Sequence, residues 1–211
     1  MKEKFNEKVI PVILKFINTK AIQSIKNGMV TSMSPLIIGS IFLILSNFPV
    51  KAVVDVLEST GIKPVLDQVC GATFSISALI AVIGISYSYA KLENQEPLNC
   101  GIISLATFLI LMPSSITTEG GEVVSGIINK TWTAGQGMIV GLIVPPIYCW
   151  FLKKNIRIKM PAGVPEGVTN AFSALIPAFV ILTGAAVIHG ICSIGFDTTG
   201  IEIIYKVVQT P

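Results

Sequence analysis

The residue best suited to chemistry in this sequence is a single histidine within a long apolar stretch. His189 is the only histidine among the 211 residues, and its neighbours Val187, Ile188 and Gly190 are apolar or small. An ionisable side chain is costly inside a membrane, so such a residue indicates a substrate site or a proton carrier. A structural hydrogen bond to a neighbouring helix is the alternative, and the sequence leaves both open.

The other reactive residue types do not form a set that indicates catalysis or metal binding. The four cysteines form no CxxC pair and lie in or near apolar stretches, where they suit packing: Cys70, Cys100, Cys149 and Cys192. No nucleophile–base pair is apparent, so we predict no catalytic residue, no metal and no cofactor. The net charge of +3 gives no reason to expect a nucleic-acid partner.

The elements that must position His189 are apolar segments of membrane-spanning length. Charged residues make up only 13 % of the chain, against roughly a quarter in soluble proteins. Five segments approach the ~20 residues that a bilayer core requires, and they contain no Asp, Glu, Lys or Arg. They are Met29–Phe48, Cys70–Ala90, Leu98–Ile116, Ala134–Leu152 and Ala171–Phe196. The sequence therefore predicts an all-α membrane protein with about five transmembrane helices, the second and third joined as a tight antiparallel hairpin.

Amphipathic segments flank these spans at both ends. Over residues 1–27, apolar residues fall on one helical stripe beside a row of lysines, which is typical of a helix that lies on membrane lipids. Residues 197–211 also present one apolar helical face. We therefore divide the chain into an amphipathic N-terminal helix (1–27), a five-span domain (28–196) and an amphipathic connector (197–211).

The lysines and arginines predict an orientation. With the N-terminus in the cytoplasm, 11 of the 15 lie in cytoplasmic segments and 4 lie outside. Cytoplasmic loops of membrane proteins carry an excess of these residues. The sequence thus predicts a multi-pass protein with a cytoplasmic N-terminus.

Small residues recur at four-residue spacing in the last two spans. Gly137 and Gly141 form one such pair, and Ala186 and Gly190 form another. Small side chains let helix backbones approach closely in lipid. These pairs indicate helix packing, either within the chain or between chains.

A proline-rich segment at the start of the last span carries the most specific pattern. Pro161 and Pro165 disfavour helix in the residues before them, Glu166 suits the first turn of the span, and Pro177 is expected to kink it. The pattern comprises Met160, Pro161, Gly163, Val164, Pro165, Val168, Phe172, Leu175, Ile176 and Pro177.

This pattern resembles the signature of membrane IIC components of the bacterial phosphoenolpyruvate-dependent sugar phosphotransferase system. The most similar group is the lactose, cellobiose and diacetylchitobiose family. The likeness extends to the Ser34–Ser40 run of the first span and to Ile83–Ala90 of the second. It covers essentially the whole chain.

The resemblance implies a disaccharide permease of the bacterial plasma membrane that works as a homodimer, with the N-terminal spans at the dimer interface. It also implies that a histidine and a glutamate in a C-terminal half hold the sugar. A partner IIB component then phosphorylates the sugar through a phosphocysteine, and a IIA component is a further partner.

The sequence departs from the family in one respect, because no residue here matches that histidine, glutamate or cysteine. His189 does not match the family motif and stays a candidate on its own chemistry alone. We therefore expect a scaffold half whose sugar-binding partner half lies beyond Pro211. A non-transporting membrane anchor, or a subunit that pairs with a separately encoded second half, is the alternative.

Overall fold

The computed structural model describes residues 10–11, 13–74, 76–112, 115–117, 123–125, 134–161 and 163–196. The connector expected over residues 197–211 and the first nine residues of the N-terminal amphipathic helix lie outside this part of the chain. Within it, residues 13–17 are helical and exposed.

The described elements are seven longer helices and one short hairpin. In chain order they are α1 (Lys20–Ser46), α2 (Lys51–Ser59), α3 (Ile62–Thr73), α4 (Ser77–Leu92), α5 (Pro97–Leu111), β1 (Ser115–Thr117), β2 (Val123–Ser125), α6 (Ala134–Lys153) and α7 (Glu166–Phe196). The two strands pair antiparallel, with Ile116 opposite Val124.

The first span is longer than the sequence indicated. Helix α1 runs unbroken through the boundary that we drew between residues 27 and 28. Three small residues at four-residue spacing, Ser24, Gly28 and Ser32, are buried along one side of it. These residues pack against the bundle, and this packing stabilises the helix across the point where the amphipathic pattern changes to a fully apolar one.

The prediction of one continuous second span over Cys70–Ala90 was wrong in its bounds. Helix α3 ends at Thr73 and α4 begins at Ser77. The Thr73 hydroxyl donates to the carbonyl of Val69 at 2.7 Å, and hydroxyl side chains of this kind compete with helix continuation. Together, Ile62–Leu92 still form an apolar stretch long enough to cross a membrane.

The third span is shorter than predicted. Helix α5 covers 15 residues and ends before Met112, which has an extended backbone (ψ 150°). The following residue is Pro113, and a residue before proline avoids the helical region. In the described residues, four apolar helical stretches are therefore long enough to cross a membrane, with α5 as a shorter apolar helix.

The fourth and fifth spans are confirmed as helices α6 and α7, and Glu166 lies in the first turn of α7 as expected. Helix α4 occupies the centre of the bundle and contacts α1, α5 and α6, while α7 packs on α5 and α6. Val82, Phe108 and Tyr148 are among the fully buried side chains of this core. The expected all-α membrane fold is confirmed.

Candidate functional site

A three-residue charged cluster ties three helices together at one end of the bundle. The Glu93 carboxylate accepts a hydrogen bond from Lys20 Nζ at 2.7 Å and another from Lys153 Nζ. Lys20 opens α1, Glu93 follows α4, and Lys153 closes α6. Only 8 % of the Glu93 side chain is exposed, and the hydrogen bonds from Lys153 and then Lys20 hold the pKa of its carboxyl below the ordinary value.

The turn that presents Glu93 is built by local sequence. Asn94 adopts a left-handed conformation (φ 53°) that ends α4, a conformation that asparagine tolerates better than most residues. Glu96 then caps α5 by accepting the backbone N–H groups of Leu98 at 2.9 Å and Asn99 at 2.8 Å. Residues 93–96 alone join α4 to α5, so the expected tight antiparallel hairpin is confirmed.

Helix α1 approaches α4 most closely through facing glycines. A Cβ atom added to Gly28 would lie 2.4 Å from the backbone nitrogen of Ile85, and one added to Gly84 would lie 2.8 Å from the carbonyl oxygen of Gly28. These distances leave no room for any side chain. Backbone contact of this kind supplies the van der Waals attraction that holds helices together in lipid.

The Gly137 and Gly141 pair faces α4 within the same chain. A Cβ on Gly137 would lie 2.3 Å from the carbonyl oxygen of Ala78, and one on Gly141 would lie 3.1 Å from Cβ of Ile85. The Ser86 hydroxyl also donates to the Gly141 carbonyl at 3.5 Å. Because α4 fills this side of α6, the pair is not open to a second copy.

The Ala186 and Gly190 pair has a different environment. Ala186 is exposed, and a Cβ added to Gly190 would meet nothing within 4 Å among the described residues. The apolar side chains of Val187 and Ile191 beside them are more than half exposed. This side of α7 therefore remains open in the part of the chain that the structure describes.

His189 lies next to this open side of α7. Its residue is partly exposed, but Nδ1 is itself buried and has no hydrogen-bond partner among the described residues. The hydrogen bond to a neighbouring helix, which the sequence left as an alternative, is therefore not seen here. No group of three or more His, Cys, Asp or Glu side chains in the described ranges is placed to hold a metal ion.

The proline-rich pattern forms the entry to α7. The Pro165 carbonyl accepts the backbone N–H groups of Val168 and Thr169, both at 3.1 Å, and Gly163 has a positive φ of 99°. From there the pattern divides between two sides of the helix. Pro177 is fully buried, whereas Val168, Phe172 and Leu175 are exposed. Met160 and Val164 are partly buried, Ile176 likewise, and Pro161 is exposed.

Comparison with known proteins decides what this bundle is. The family model described as "Phosphotransferase system, EIIC" matches residues 26–208. The chain belongs to the EIIC family. This EIIC chain is 32 % identical to the oligo-beta-mannoside-specific EIIC component of Bacillus subtilis over 100 % of its own length and 49 % of that protein. It is 34 % identical to the cellobiose-specific EIIC component of Geobacillus stearothermophilus, over 96 % of its length and 47 % of that protein.

A solved EIIC structure has the same fold. The crystal structure of the transporter ChbC, the IIC component from the N,N'-diacetylchitobiose-specific phosphotransferase system, matches with a TM-score of 0.86 and 33 % sequence identity. The match covers 98 % of this chain and 51 % of ChbC. The chain thus spans about half the length of the relatives it matches, and it is a multi-pass membrane protein.

Neither the Glu93 cluster nor the Gly28–Gly84 contact was predicted from the sequence. Glu93 is an acidic residue just after a predicted span, on the side of the membrane where 11 of the 15 lysines and arginines are predicted to lie, and its opposite charge was a usable signal. Ser24, Gly28 and Ser32 have the same four-residue spacing as Gly137 and Gly141, so the pattern that predicts packing was present in α1 as well.

Proposed function

We propose that this EIIC chain is the scaffold half of a disaccharide permease and takes part in phosphorylation-coupled sugar uptake. The observation that carries the proposal is the match to ChbC, because it covers 98 % of the chain in a transporter of the same family. Relatives named as EIIC components support a permease over the alternative of a membrane anchor.

The substrate of the proposed permease is a β-linked disaccharide of the cellobiose or chitobiose type. The support is the printed specificity of the relatives: cellobiose, oligo-beta-mannoside and N,N'-diacetylchitobiose. A lactose-specific relative in Lacticaseibacillus casei is an EIICB component, 26 % identical over 84 % of this chain. That fusion supports a IIB partner, with a IIA component as phosphoryl donor to it.

The described bundle supports a scaffold role, because three of its carboxylates are engaged in contacts between helices or at a helix end. Glu93 is held by two lysines, Glu96 caps α5, and Asp67 of α3 accepts a hydrogen bond from Ser46 at the end of α1. Sugar sites need convergent polar groups in a cavity. Side chains already engaged in this way contribute stability, so we place sugar recognition in the other half of the permease.

Uptake by cells that express the whole permease, with this half and the sugar-recognising half together, tests this function. Cells that carry IIA and IIB components, and are supplied with radiolabelled cellobiose or diacetylchitobiose, are expected to accumulate the labelled sugar as its phosphate. Omitting IIB is the matched control and is expected to abolish accumulation. Accumulation of free sugar without IIB would contradict the proposal.

We also propose that the homodimer uses the open side of α7. Ala186 and Gly190 have the spacing that favours close helix contact, and among the described residues nothing fills that space. The buried Nδ1 of His189 lies beside it. A buried polar atom without a partner costs about 1–3 kcal/mol, and a second copy can supply the missing hydrogen bond.

The orientation is proposed with the N-terminus in the cytoplasm. The Glu93 cluster supports part of this, because it places the start of α1 and the ends of α4 and α6 on the same side of the membrane. The four native cysteines are buried and are poor topology probes. Exposed positions serve better: Lys154→Cys is expected to react with a membrane-impermeant thiol reagent only after lysis, and Glu58→Cys in intact cells. The reverse pattern would overturn the orientation.

A further inference from the structure

An open groove of about 770 Å³ runs between α1 and α4 on the outside of the bundle. Along α4 its walls are apolar at one end, where Ile80 and Ile83 lie, and polar at the other, where Tyr87 and Lys91 lie, while Asn27 lies on the α1 wall. Ile83 and Tyr87 are 37 % and 40 % exposed. The groove exists because Gly28 and Gly84 bring the two helices together without side chains between them.

The length of the groove matches one leaflet of a membrane. Ile80 and Lys91 are separated by 11 residues of helix α4, or about 16 Å at 1.5 Å per residue. Half of a ~30 Å hydrocarbon core is about 15 Å. The apolar end therefore lies near the bilayer midplane, and Lys91 lies at the level of the lipid headgroups.

The charge at the polar end favours an anion. Lys91 is exposed and has no salt bridge among the described residues, whereas both oxygens of the nearby Glu93 carboxylate are already paired with Lys20 and Lys153. Basic pockets between membrane helices bind anionic lipid headgroups.

We propose that this groove is a binding site for one anionic phospholipid. One acyl chain lies along Ile80 and Ile83, and the headgroup phosphate pairs with Lys91. The Asn27 amide and the Tyr87 hydroxyl are positioned on the groove walls to donate hydrogen bonds to the phosphate or glycerol oxygens. Its occupant stabilises the contact between α1 and α4.

Native mass spectrometry of the intact protein tests the site. The protein is incubated with phosphatidylglycerol and phosphatidylcholine that carry the same acyl chains, and bound lipids are counted. We expect phosphatidylglycerol to be retained about fivefold over phosphatidylcholine, the factor that one lysine near an anionic headgroup contributes. Lys91→Gln is expected to remove this preference, whereas Lys154→Gln, an exposed lysine at the same end but outside the groove, is expected to keep it.

A second variant fills the groove without changing its charge. Thr31 lies on the groove wall, and among the described residues its hydroxyl donates a hydrogen bond within its own helix, to the Asn27 carbonyl. Thr31→Phe is expected to lower the number of bound lipids of both kinds by one. Equal loss of preference in the two lysine variants, or an unchanged lipid count in Thr31→Phe, would overturn the proposal. So would a disulfide between two copies of a Thr31→Cys variant in phosphatidylglycerol, because it would place a second copy in the groove.

Discussion

Helices α6 and α7 carry the same small-residue spacing but use it differently. On α6, Gly137 and Gly141 lie against α4, where an added Cβ would approach a carbonyl oxygen to 2.3 Å. On α7, Ala186 is exposed and Gly190 meets nothing within 4 Å in the described residues. The spacing therefore predicts a close contact but does not identify the partner. The three-dimensional fold decides which pair is used inside the chain and which is left for another surface.

The largest expected effect comes from enlarging a glycine inside the bundle. Gly28→Leu would force a side chain into the Ile85 backbone, which cannot move aside as a flexible side chain could. Typical overpacking costs up to ~3 kcal/mol, and we expect at least that cost here. We expect little folded protein in detergent, measured as monodisperse yield by size-exclusion chromatography. Gly190→Leu is the matched control on the open side, and it is expected to keep a normal yield. Equal yields of the two variants would remove the distinction between the two sides.

A smaller effect is expected from the charged cluster that closes the bundle at one end. Glu93→Gln leaves the two lysines without their carboxylate, and we expect a loss of about 1 kcal/mol in the free energy of unfolding after solvent screening. Glu58→Gln is the control, because Glu58 is 56 % exposed and its salt bridge in the described part of the chain is with Lys63. Thermal melts in detergent at neutral pH measure both variants. A melting temperature of Glu93→Gln equal to that of the unsubstituted protein would contradict a stabilising role for the cluster.

The same cluster predicts a pH dependence. Because the pKa of Glu93 is lowered in the folded protein, its contribution is fully present above the ordinary glutamate pKa of about 4.3. The contribution is lost as the pH falls through the lowered value of the folded state. We therefore expect the difference in melting temperature between the unsubstituted protein and Glu93→Gln to shrink on acidification. A difference that grows below neutral pH would reverse the sign of the argument.

The smallest effect on stability is expected on the open side of α7. Ala186→Leu adds bulk where the described part of the chain has space, so the melting temperature of the monomer is expected to stay unchanged. If this side forms the proposed dimer, the variant loses self-association, measured by crosslinking after reconstitution into lipid. Val180→Leu, at another exposed apolar position of α7, is the control. Normal dimerisation of Ala186→Leu would move the interface elsewhere.

Sequence could predict the spans whose ends are marked by local chemistry. Helix α6 ends at a lysine after an apolar run, and α7 begins at Glu166 after Pro165, so both were located closely. The short α5 was overextended because uncharged residues continue beyond Pro113 as far as Ile116, although the helix ends before the proline. The break between α3 and α4 was missed because apolar residues there keep the hydropathy high. The hydroxyl side chain of Thr73, which competes for helix hydrogen bonds, does not change that pattern.

The features that hold the bundle together were harder to predict, because they depend on residues far apart in sequence. Glu93 lies 73 residues from Lys20 and 60 from Lys153, and a single sequence gives no means of pairing them. Gly28 and Gly84 are also far apart in sequence, and they face each other only after the helices have packed. His189 could be singled out by its type, but its surroundings depend on what covers α7.

The most direct test of the account is one substitution made at two sites. Gly137→Ala and Gly190→Ala add the same methyl group to a glycine inside a helix, where alanine is intrinsically favoured by roughly 0.5–1 kcal/mol. Thermal unfolding of the two variants in the same detergent compares their surroundings alone. We expect Gly137→Ala to melt at a clearly lower temperature, because its Cβ meets the Ala78 carbonyl, and Gly190→Ala to melt at the same or a slightly higher temperature. Equal shifts in the two variants would contradict the claim that Gly137 packs against α4 whereas Gly190 lies on an open side of α7.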